Sequence, residues 1–291
     1  MHLPGWHERA KRQTQRAYLS SLRCRGMEYD ESRPYQAGDD IRPLDWRVPA
    51  RSGKPHTKLF REERERPVYT CCHLCRAMRF PPQGSFKSVI AARAAALLAW
   101  KAQQSGDRIG GVLFNEQTHL ELPPMRGKAA VARLLKGLVS HGQYQKPGDL
   151  LSAEPYSLNQ ALERLQRLVK PGSLIFVISD FRQLKFQHIA HKKDAGTGEL
   201  ARISRHSDTY ALSITDPLEI AMPDAHGRCQ VSDGQSKLDL VIGAKKADGL
   251  YQQAYRQRQE SLTGFCRTNQ IHLENIMTNE EPLVAIERLL R

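Results

Sequence analysis

The run from Ser173 to Ser179 restricts the fold most, because Leu, Ile, Phe, Val and Ile follow one another in it without a polar residue between them. The turn residues Pro171-Gly172 precede the run, and Asp180 ends it. An apolar run of this length without polar alternation predicts a strand buried on both faces, as in parallel sheets that helices cover on both sides. Asp208–Thr215 repeats the pattern. The sequence therefore predicts an α/β fold around a parallel sheet.

From residue 67 onward, β-prone runs alternate with stretches of helical apolar spacing. The predicted strands are Val68–His73, Ile109–Phe114, His119–Leu122, Ser173–Ser179, Asp208–Thr215 and Ile271–Ile276, with a hairpin over Arg228–Ile242. The predicted helices are Phe86–Trp100, Lys128–Ser140, Leu158–Val169, Leu200–His206, Asp248–Thr268 and Pro282–Leu290. This order predicts a doubly wound, mostly parallel sheet, in which ligands bind beyond the carboxyl ends of the strands.

The first 66 residues are mostly polar and contain turn signals at Gln36–Asp40 and Arg51–Pro55. They predict one helix over Trp6–Ser20 and a short extended stretch over Thr57–Glu62. The sequence contains no repeated period and no low-complexity segment. We therefore predict two parts, namely an N-terminal segment of residues 1–66 packed on the sheet, and a sheet domain of residues 67–291.

The chain is basic, since 44 Lys and Arg residues face 31 Asp and Glu residues and leave a net charge of +13. Such an excess can attract nucleic acid or another anionic partner. The basic residues alternate with acidic ones, however, and aromatic residues make up only 7%, whereas single-strand sites combine a basic groove with aromatic platforms. Nucleic-acid binding is therefore an alternative that we do not favour, and it would show as an affinity that falls steeply with salt.

The sequence contains neither an apolar window long enough for a membrane span nor the apolar core of a signal peptide after Met1. We therefore expect a cytoplasmic protein with reduced cysteines. No Gly-x-x-x-x-Gly-Lys-Ser/Thr or Gly-x-Gly-x-x-Gly motif follows a predicted strand. Nucleotide hydrolysis by this chain is not expected.

A block of mixed chemistry in the N-terminal segment carries a family resemblance. It has the pattern Tyr-x-x-Gly-Asp-Asp-x-Arg-x-x-Asp-Trp, and its residues are Tyr35, Gly38, Asp39, Asp40, Arg42, Asp45 and Trp46. The block resembles the signature of the bacterial domain-of-unknown-function 58 family, which comprises von Willebrand factor A-like proteins commonly encoded beside MoxR-type AAA+ ATPases. Further matches cover nearly the whole chain, at Lys87-Ser88, Trp100, Asp107–Gly110, Ser179–Phe181 and Asp216–Glu219.

The resemblance implies a Rossmann-like sheet of the von Willebrand factor A type. It also implies a binding role without catalysis, as an adaptor or scaffold of a MoxR-type AAA+ ATPase in the assembly or maturation of client protein complexes. In related A domains, an Asp-x-Ser-x-Ser motif after the first strand, a Thr from a second loop and an Asp from a third hold one divalent cation. Such oxygen ligands suit Mg²⁺, and an open coordination position can take a carboxylate of the partner.

This chain departs from that metal-ion-dependent adhesion site in its first loop. When the motif is aligned on the Met that commonly follows it, His73 takes the Asp position, Cys75 the first Ser position and Ala77 the second. Ser157 is the candidate for the Thr position, and Asp180 is the candidate for the third-loop Asp. Because Mg²⁺ requires near-octahedral oxygen coordination, we expect a degenerate site without Mg²⁺ and no other cofactor.

Two sharper interpretations of the cysteine-rich loop stay open. Cys71, His73 and Cys75 alternate, so on a strand they would point to one side and could bind Zn²⁺ together with Asp180, although the sequence has no second cysteine pair of the usual spacing. A Cys75 nucleophile with His73 as its base would need a contact that residues two apart on a strand seldom make. Packing of small buried cysteines is the simplest interpretation.

We therefore interpret the chain as an interaction protein whose docking rim consists of the loop Cys71–Met78, the segment around Ser157 and the loop that starts at Asp180. Its candidate partner-binding residues are His73, Cys75, Ala77, Ser157 and Asp180. The signature block either ties the N-terminal segment to the core or faces a partner. The alternative function is a metal-dependent protein-binding module that uses Zn²⁺ or a rebuilt divalent-cation site.

Overall fold

The computed structural model of this protein describes residues 27–36, 56–62, 66–79, 84–143, 156–184, 197–221, 227–232, 237–242 and 245–290. By its internal contacts the chain divides into two compact units. The smaller unit is Gly5–Glu65, and the larger consists of Arg66–Arg291 together with Met1–Pro4. The predicted helix Trp6–Ser20 and the signature residues from Gly38 to Trp46 lie outside the described residues. That the N-terminal segment packs on the sheet stays a prediction.

In the smaller unit, strand β1 (Met27–Pro34) pairs with strand β2 (His56–Glu62) in an antiparallel ladder. The register shifts between Tyr29 and Glu31, as it does at a β-bulge. The extended stretch predicted over Thr57–Glu62 is confirmed. Strand β1 is not among the elements predicted for this segment; four of its eight residues are charged, unlike the β-prone runs by which the other strands are predicted.

The larger unit contains eight strands and seven α-helices in its described parts. In chain order, its strands are β3 (Pro67–His73), β4 (Arg108–Phe114), β5 (His119–Met125), β6 (Leu174–Ser179), β7 (Asp208–Thr215), β8 (Gly227–Ser232), β9 (Lys237–Ile242) and β10 (His272–Met277). Its helices are α1 (Lys87–Gln104), α2 (Lys128–Gly142), α3 (Leu158–Leu168), α4 (Thr197–Ser204), α5 (Pro217–Ile220), α6 (Lys245–Thr268) and α7 (Pro282–Leu290), and a 3-10 helix spans Arg76–Arg79. The strands and helices predicted after residue 67 are confirmed near their expected bounds.

Six of these strands form one sheet in the order β10-β7-β6-β3-β4-β5. All neighbours pair in parallel except β4 and β5, which are antiparallel. Strands β8 and β9 form the predicted hairpin. The chain continues from β3 to β4 on one side of β3 and later adds β6 on the other side. The carboxyl ends of β3 and β6 therefore flank the switch point, where doubly wound sheets bind their ligands.

Helices cover both faces of this sheet. On one face, α3, α4 and α6 pack their apolar residues against Cys71, Val112, Val177 and Ala211, which belong to the four central strands. Helix α1 contacts the sheet as well as α2 and α7, which form the second helical layer. Every residue of β6 is buried. The predicted doubly wound α/β fold is confirmed, because helices cover both faces of a mostly parallel sheet. The apolar run Ser173–Ser179 contributes β6, which lies between β7 and β3 within that sheet.

Close approach of the strands at β4 depends on glycine. Gly111 pairs with Thr70 of β3, and a Cβ atom at Gly111 would lie only 2.0 Å from the carbonyl oxygen of Thr70. A Cβ atom at Gly110 would lie 2.6 Å from the carbonyl oxygen of Leu122 on the opposite neighbour, β5. Neither obstacle can move aside, because both are backbone atoms of paired strands. The two glycines therefore allow β4 to fit between β3 and β5.

We expect Gly111→Ala to lower the free energy of unfolding by about 3 kcal/mol or more, since the new methyl group would push apart two paired strands. Gly264→Ala is the control, because Gly264 lies in α6 and a Cβ atom there meets nothing within 4 Å. Alanine in an exposed helix should stabilise the protein by up to about 1 kcal/mol. Urea unfolding monitored by circular dichroism measures both changes. Equal effects of the two substitutions would contradict the strand-packing argument.

Candidate functional site

The carboxyl ends of three parallel strands bring three polar residues to one edge of the sheet. β3 ends at His73, β6 is followed by Asp180, and β7 is followed by Asp216. All three residues are buried. Nδ1 of His73 lies 3.9 Å from Oδ1 of Asp180. The structure thus brings together two of the residues that the sequence predicts for the site.

A buried lysine completes this edge. Lys87 is the first residue of α1, and its side chain has no exposed surface. Its Nζ lies 3.4 Å from Oδ2 of Asp180 and also contacts Oε1 of Glu219. A cation in the first turn is opposed by the helix dipole, and burial of its charge is costly without partners. The two carboxylates therefore explain how Lys87 can lie there.

Glu219 reaches Lys87 from the turn after β7. Asp216 and Glu219 form a capping box at the start of α5, in which Oδ1 of Asp216 accepts from the backbone N–H of Leu218 at 2.9 Å. The hydroxyl of Thr278, which follows β10, donates to Oδ2 of Asp216. These bonds fix the turn, and the turn directs Glu219 toward the ammonium group.

The turn after β6 is tight and places Arg182 at the surface. Phe181 has a φ of 53°, a left-handed backbone conformation that costs a residue with a Cβ atom roughly 1–2 kcal/mol. In this turn, Oδ1 of Asp180 accepts from the backbone N–H of Arg182 at 3.2 Å. Nη2 of Arg182 lies 2.8 Å from Oε1 of Glu219, and the arginine side chain is 40% exposed. Glu219 therefore bridges a buried ammonium group and an exposed guanidinium group.

Asp180 carries its negative charge although it is buried. Burial by itself raises the pKa of its carboxyl group, but the ammonium of Lys87 is the strongest opposing influence, followed by His73 and Arg182. Together these neighbours hold the pKa of Asp180 below its usual value. The carboxylate is therefore the charged partner that Lys87 requires.

His73 is held as a neutral imidazole. Its Nδ1 lies 2.9 Å from Oγ of Ser179, and its ring stacks on Phe114 with the centroids 4.8 Å apart. Burial lowers the pKa of His73 to about 4, the ammonium of Lys87 lowers it as well, and Asp180 opposes both effects. The imidazole is consequently uncharged at neutral pH. The neutral imidazole does not compensate the negative charge of Asp180, and the ammonium group of Lys87 is the main group that does.

The cysteine-rich loop packs into the core. Cys71 and Cys72 on β3 and Cys75 beyond it are buried free thiols. Burial raises the pKa of Cys71 to about 12 and also raises the pKa values of Cys72 and Cys75. Cys71 and His73 lie on β3, but Cys75 does not share that strand, because β3 ends at His73 and Cys75 lies in the bend that follows.

Ser157 caps a helix. Its Oγ accepts from the backbone N–H of Gln160 at 3.4 Å, and Oε1 of Gln160 accepts from the backbone N–H of Ser157 at 2.9 Å. The next residue, Leu158, donates its backbone N–H to Oε1 of Gln183 at 2.7 Å. The backbone carbonyl oxygen of the preceding residue, Tyr156, accepts from the thiol of Cys75 at 3.9 Å. All three predicted loops therefore meet at this edge, although the Ser157 hydroxyl is used by the cap.

The exposed part of the docking rim is small. Ala77 is exposed and lies in the 3-10 helix, where it is flanked by the half-buried Arg76 and Arg79. Met78 is fully buried and anchors this helix. Together with Arg182, these residues present small and basic groups to solvent, while His73, Cys75 and Asp180 lie beneath them.

The donor set does not fit the divalent cation that the resemblance implies for A domains. His73 and Cys75 provide nitrogen and sulfur where oxygen is needed, and Ala77 provides no donor. Asp180 is already paired with the ammonium group of Lys87. A cation would have to displace that group before it could bind the carboxylate.

The Zn²⁺ candidates are not assembled into a ligand set. Within the described residues, no three His, Cys, Asp or Glu side chains are arranged to hold a metal ion. This includes the four candidates that the sequence suggests, namely Cys71, His73, Cys75 and Asp180. The expectation that the protein needs no cofactor stays a prediction.

Comparison with known protein families assigns this chain to a family. The family described as "Protein of unknown function DUF58" matches residues 31–261. The chain belongs to the DUF58 family. Similar curated proteins are the uncharacterized proteins Mb1516 of Mycobacterium bovis and Rv1480 of Mycobacterium tuberculosis, each 25% identical over 212 residues and 72% of this chain. The chain spans 62% of the length of these relatives.

Solved structures similar to the DUF58 chain include three bacterial proteins. BatB from Bacteroides thetaiotaomicron has a TM-score of 0.49 at 12% identity, with 77% of this chain and 96% of that chain covered. An aerotolerance-related membrane protein from Bacteroides fragilis has a TM-score of 0.44 at 12% identity and the same coverage. The pilus adhesin SpaC from Lactobacillus rhamnosus GG has a TM-score of 0.46 at 9% identity, with 79% and 30% covered. Of the helices described for the present chain, none is both long and apolar enough to cross a membrane.

The sequence interpretation does not assign four residues of this edge to the site, namely Lys87, Ser179, Arg182 and Glu219, although Lys87, Ser179 and Glu219 lie in its family matches. Lys87 carries a signal that could have identified it. It lies in register with Ile90, Ala91 and Ala94 on the buried face of α1, and a lysine within an apolar helical stripe predicts a buried charge with a partner. Arg182 and Glu219 carry no such signal, because their contact joins loops from different strands.

We expect the stability of the protein to fall as pH decreases from about 6.5 to 4. The folded pKa of His73 lies below its unfolded value, so in this window the unfolded chain takes up a proton that the folded chain excludes. The contribution of His73 is complete above pH 6.5, and its loss by pH 4 amounts to about 3 kcal/mol. Urea unfolding at several pH values between 7 and 4 measures this loss of stability.

His73→Asn should flatten this pH dependence, since the amide keeps a polar partner for Ser179 but does not titrate. His206→Asn is the matched control, because His206 is an exposed histidine at the opposite edge of the sheet. It should leave the slope unchanged. An unaltered slope in His73→Asn would show that the buried imidazole is not responsible.

Proposed function

We propose that this DUF58 protein is a non-catalytic interaction protein that acts as an adaptor of a MoxR-type AAA+ ATPase in the assembly or maturation of client protein complexes. We propose the ATPase and its clients on the basis of the family resemblance, which also suggests a fold of the von Willebrand factor A type. The arrangement of the carboxyl edge supports the binding role. We further propose that the protein works in the cytoplasm.

One observation carries this proposal: the reactive groups of the site are buried and paired, while the exposed groups are suited to contact. Asp180 and Glu219 neutralise Lys87 in the interior. Burial raises the pKa of Cys75, which disfavours the thiolate that a nucleophile needs. Ala77 and Arg182 remain at the surface, where a small residue admits a close partner and a guanidinium group binds carboxylates.

The proposed docking mode uses shape and charge in place of a bridging metal. The 3-10 helix Arg76–Arg79 is anchored by the buried Met78, and Nη2 of Arg79 donates to the carbonyl oxygen of Gln143 at 2.8 Å. An element that is held in place before binding loses less entropy on association. In this proposal His73, Cys75, Ser157 and Asp180 position the rim, and Ala77 touches the partner.

We expect Ala77→Glu to weaken binding to a MoxR-type ATPase from the same genome by at least about tenfold, because it adds bulk and a negative charge to the contact surface. Ala77 is exposed, so the melting temperature should not change. Biolayer interferometry with the purified ATPase measures the affinity. Gln104→Glu is the control, since it adds the same charge at the opposite edge of the sheet, where α1 ends.

Equal binding by both variants would show that the rim is not the contact surface. Failure of the unmodified protein to bind any such ATPase of its genome would reject the proposed partner. The alternative of a metal-dependent binding module is tested by mass spectrometry of the untagged protein purified without chelator. Stoichiometric Zn²⁺ would favour that alternative.

A further inference from the structure

We infer that the ammonium group of Lys87 supplies the positive charge that a divalent cation supplies in metal-binding A domains, and that it closes this site to metal. The inference is independent of the identity of the partner. It concerns the chemistry that holds the carboxyl edge together, whichever protein docks there.

The position of the ammonium group is the first argument. Nζ of Lys87 contacts Asp180, the candidate third-loop ligand after β6, and Glu219 of α5, which follows the neighbouring strand β7. Both carboxylate side chains are nearly inaccessible to solvent, with 3% and 6% exposed, and the lysine side chain is at 0%. A cation shared by carboxylates from two adjacent strand ends is the arrangement expected of a metal. Here a side chain of the protein occupies it.

The charge balance is the second argument. The two carboxylates contribute two negative charges, and Lys87 and Arg182 contribute two positive ones through contacts to the same Glu219 oxygen. Lys87 and Arg182 therefore offset the charges of Asp180 and Glu219 without a metal, while the third buried carboxylate, Asp216, accepts hydrogen bonds from Leu218 and Thr278. His73 is held by a contact between its Nδ1 and Oγ of Ser179 at 2.9 Å and by stacking on Phe114. A divalent cation would add two positive charges beside a fully buried ammonium group.

The third argument is the placement of Lys87 in α1. Its backbone begins the helix, where a positive charge is unfavourable, and no side chain caps this end. Lys87 shares the buried face of α1 with Ile90, Ala91 and Ala94, so its ammonium group lies among the carboxylates and competes with a metal for them. Restoring oxygen ligands to the first loop should therefore not be sufficient to restore metal binding.

The experiment compares two sets of substitutions. The first is the triple variant His73→Asp, Cys75→Ser and Ala77→Ser, which restores the oxygen donors of the family motif and keeps Lys87. The second adds Lys87→Ala, which removes the ammonium group and leaves room for a hydrated ion. Mn²⁺ is the probe, and isothermal titration calorimetry and thermal melting are the measurements.

We expect no stoichiometric Mn²⁺ binding by the unmodified protein, and an affinity in the triple variant at least about tenfold below that of the quadruple variant, because like charges at this distance repel. Mn²⁺ at about a hundred times its Kd should raise the melting temperature of the quadruple variant by about 5–10 °C. Recovery of folding only in the presence of Mn²⁺ would be the same result in a stronger form.

Lys101→Ala added to the triple variant is the matched control, since Lys101 is a second buried lysine of α1 and lies in its last turn. It should lower stability without creating a response to Mn²⁺. Equal Mn²⁺ affinity with and without Lys87 would overturn the inference. So would stoichiometric Mn²⁺ in the unmodified protein, or a quadruple variant that Mn²⁺ neither binds nor stabilises.

Discussion

The ion pairs between the buried ammonium group of Lys87 and two carboxylates hold the functional edge of this protein together. They join three elements that are distant in the sequence: the start of α1, the end of β6 and the turn after β7. A buried ion pair is weak support for stability by itself, but loss of one partner leaves an uncompensated charge in the interior. The three elements therefore depend on one another.

The other polar groups of the edge are arranged around this cluster. The neutral His73 lies between Ser179 and Phe114 and leaves the charge of Asp180 to the lysine. Arg182 pairs with Glu219 and is partly exposed, so the network of ion pairs extends from the buried Lys87 to the surface. The charges of this edge are paired with one another before any ligand arrives. This arrangement is compatible with the interaction role that we propose.

The sequence patterns predict the fold because apolar runs and their spacing indicate which stretches are buried. Such patterns can be found within short stretches of the chain. The unbroken apolar run at Ser173–Ser179 can only be a strand covered on both faces, and it lies in β6 at the middle of the sheet. Strand β1 is not among the predicted elements. The alternation of Cys71, His73 and Cys75 would place the three side chains on one face of a strand, but the chain bends after His73.

The sequence by itself determined the doubly wound architecture, the family, and the edge at which a site would lie, because the alternation of strands with helices and the apolar periodicity can be read along the chain. Only the tertiary structure decided which side chains meet there. Lys87 and Glu219 are separated by more than a hundred residues, and their pairing follows from parallel strands that bring their carboxyl ends together. The charges of a buried cluster must balance in space, and no local pattern records that requirement.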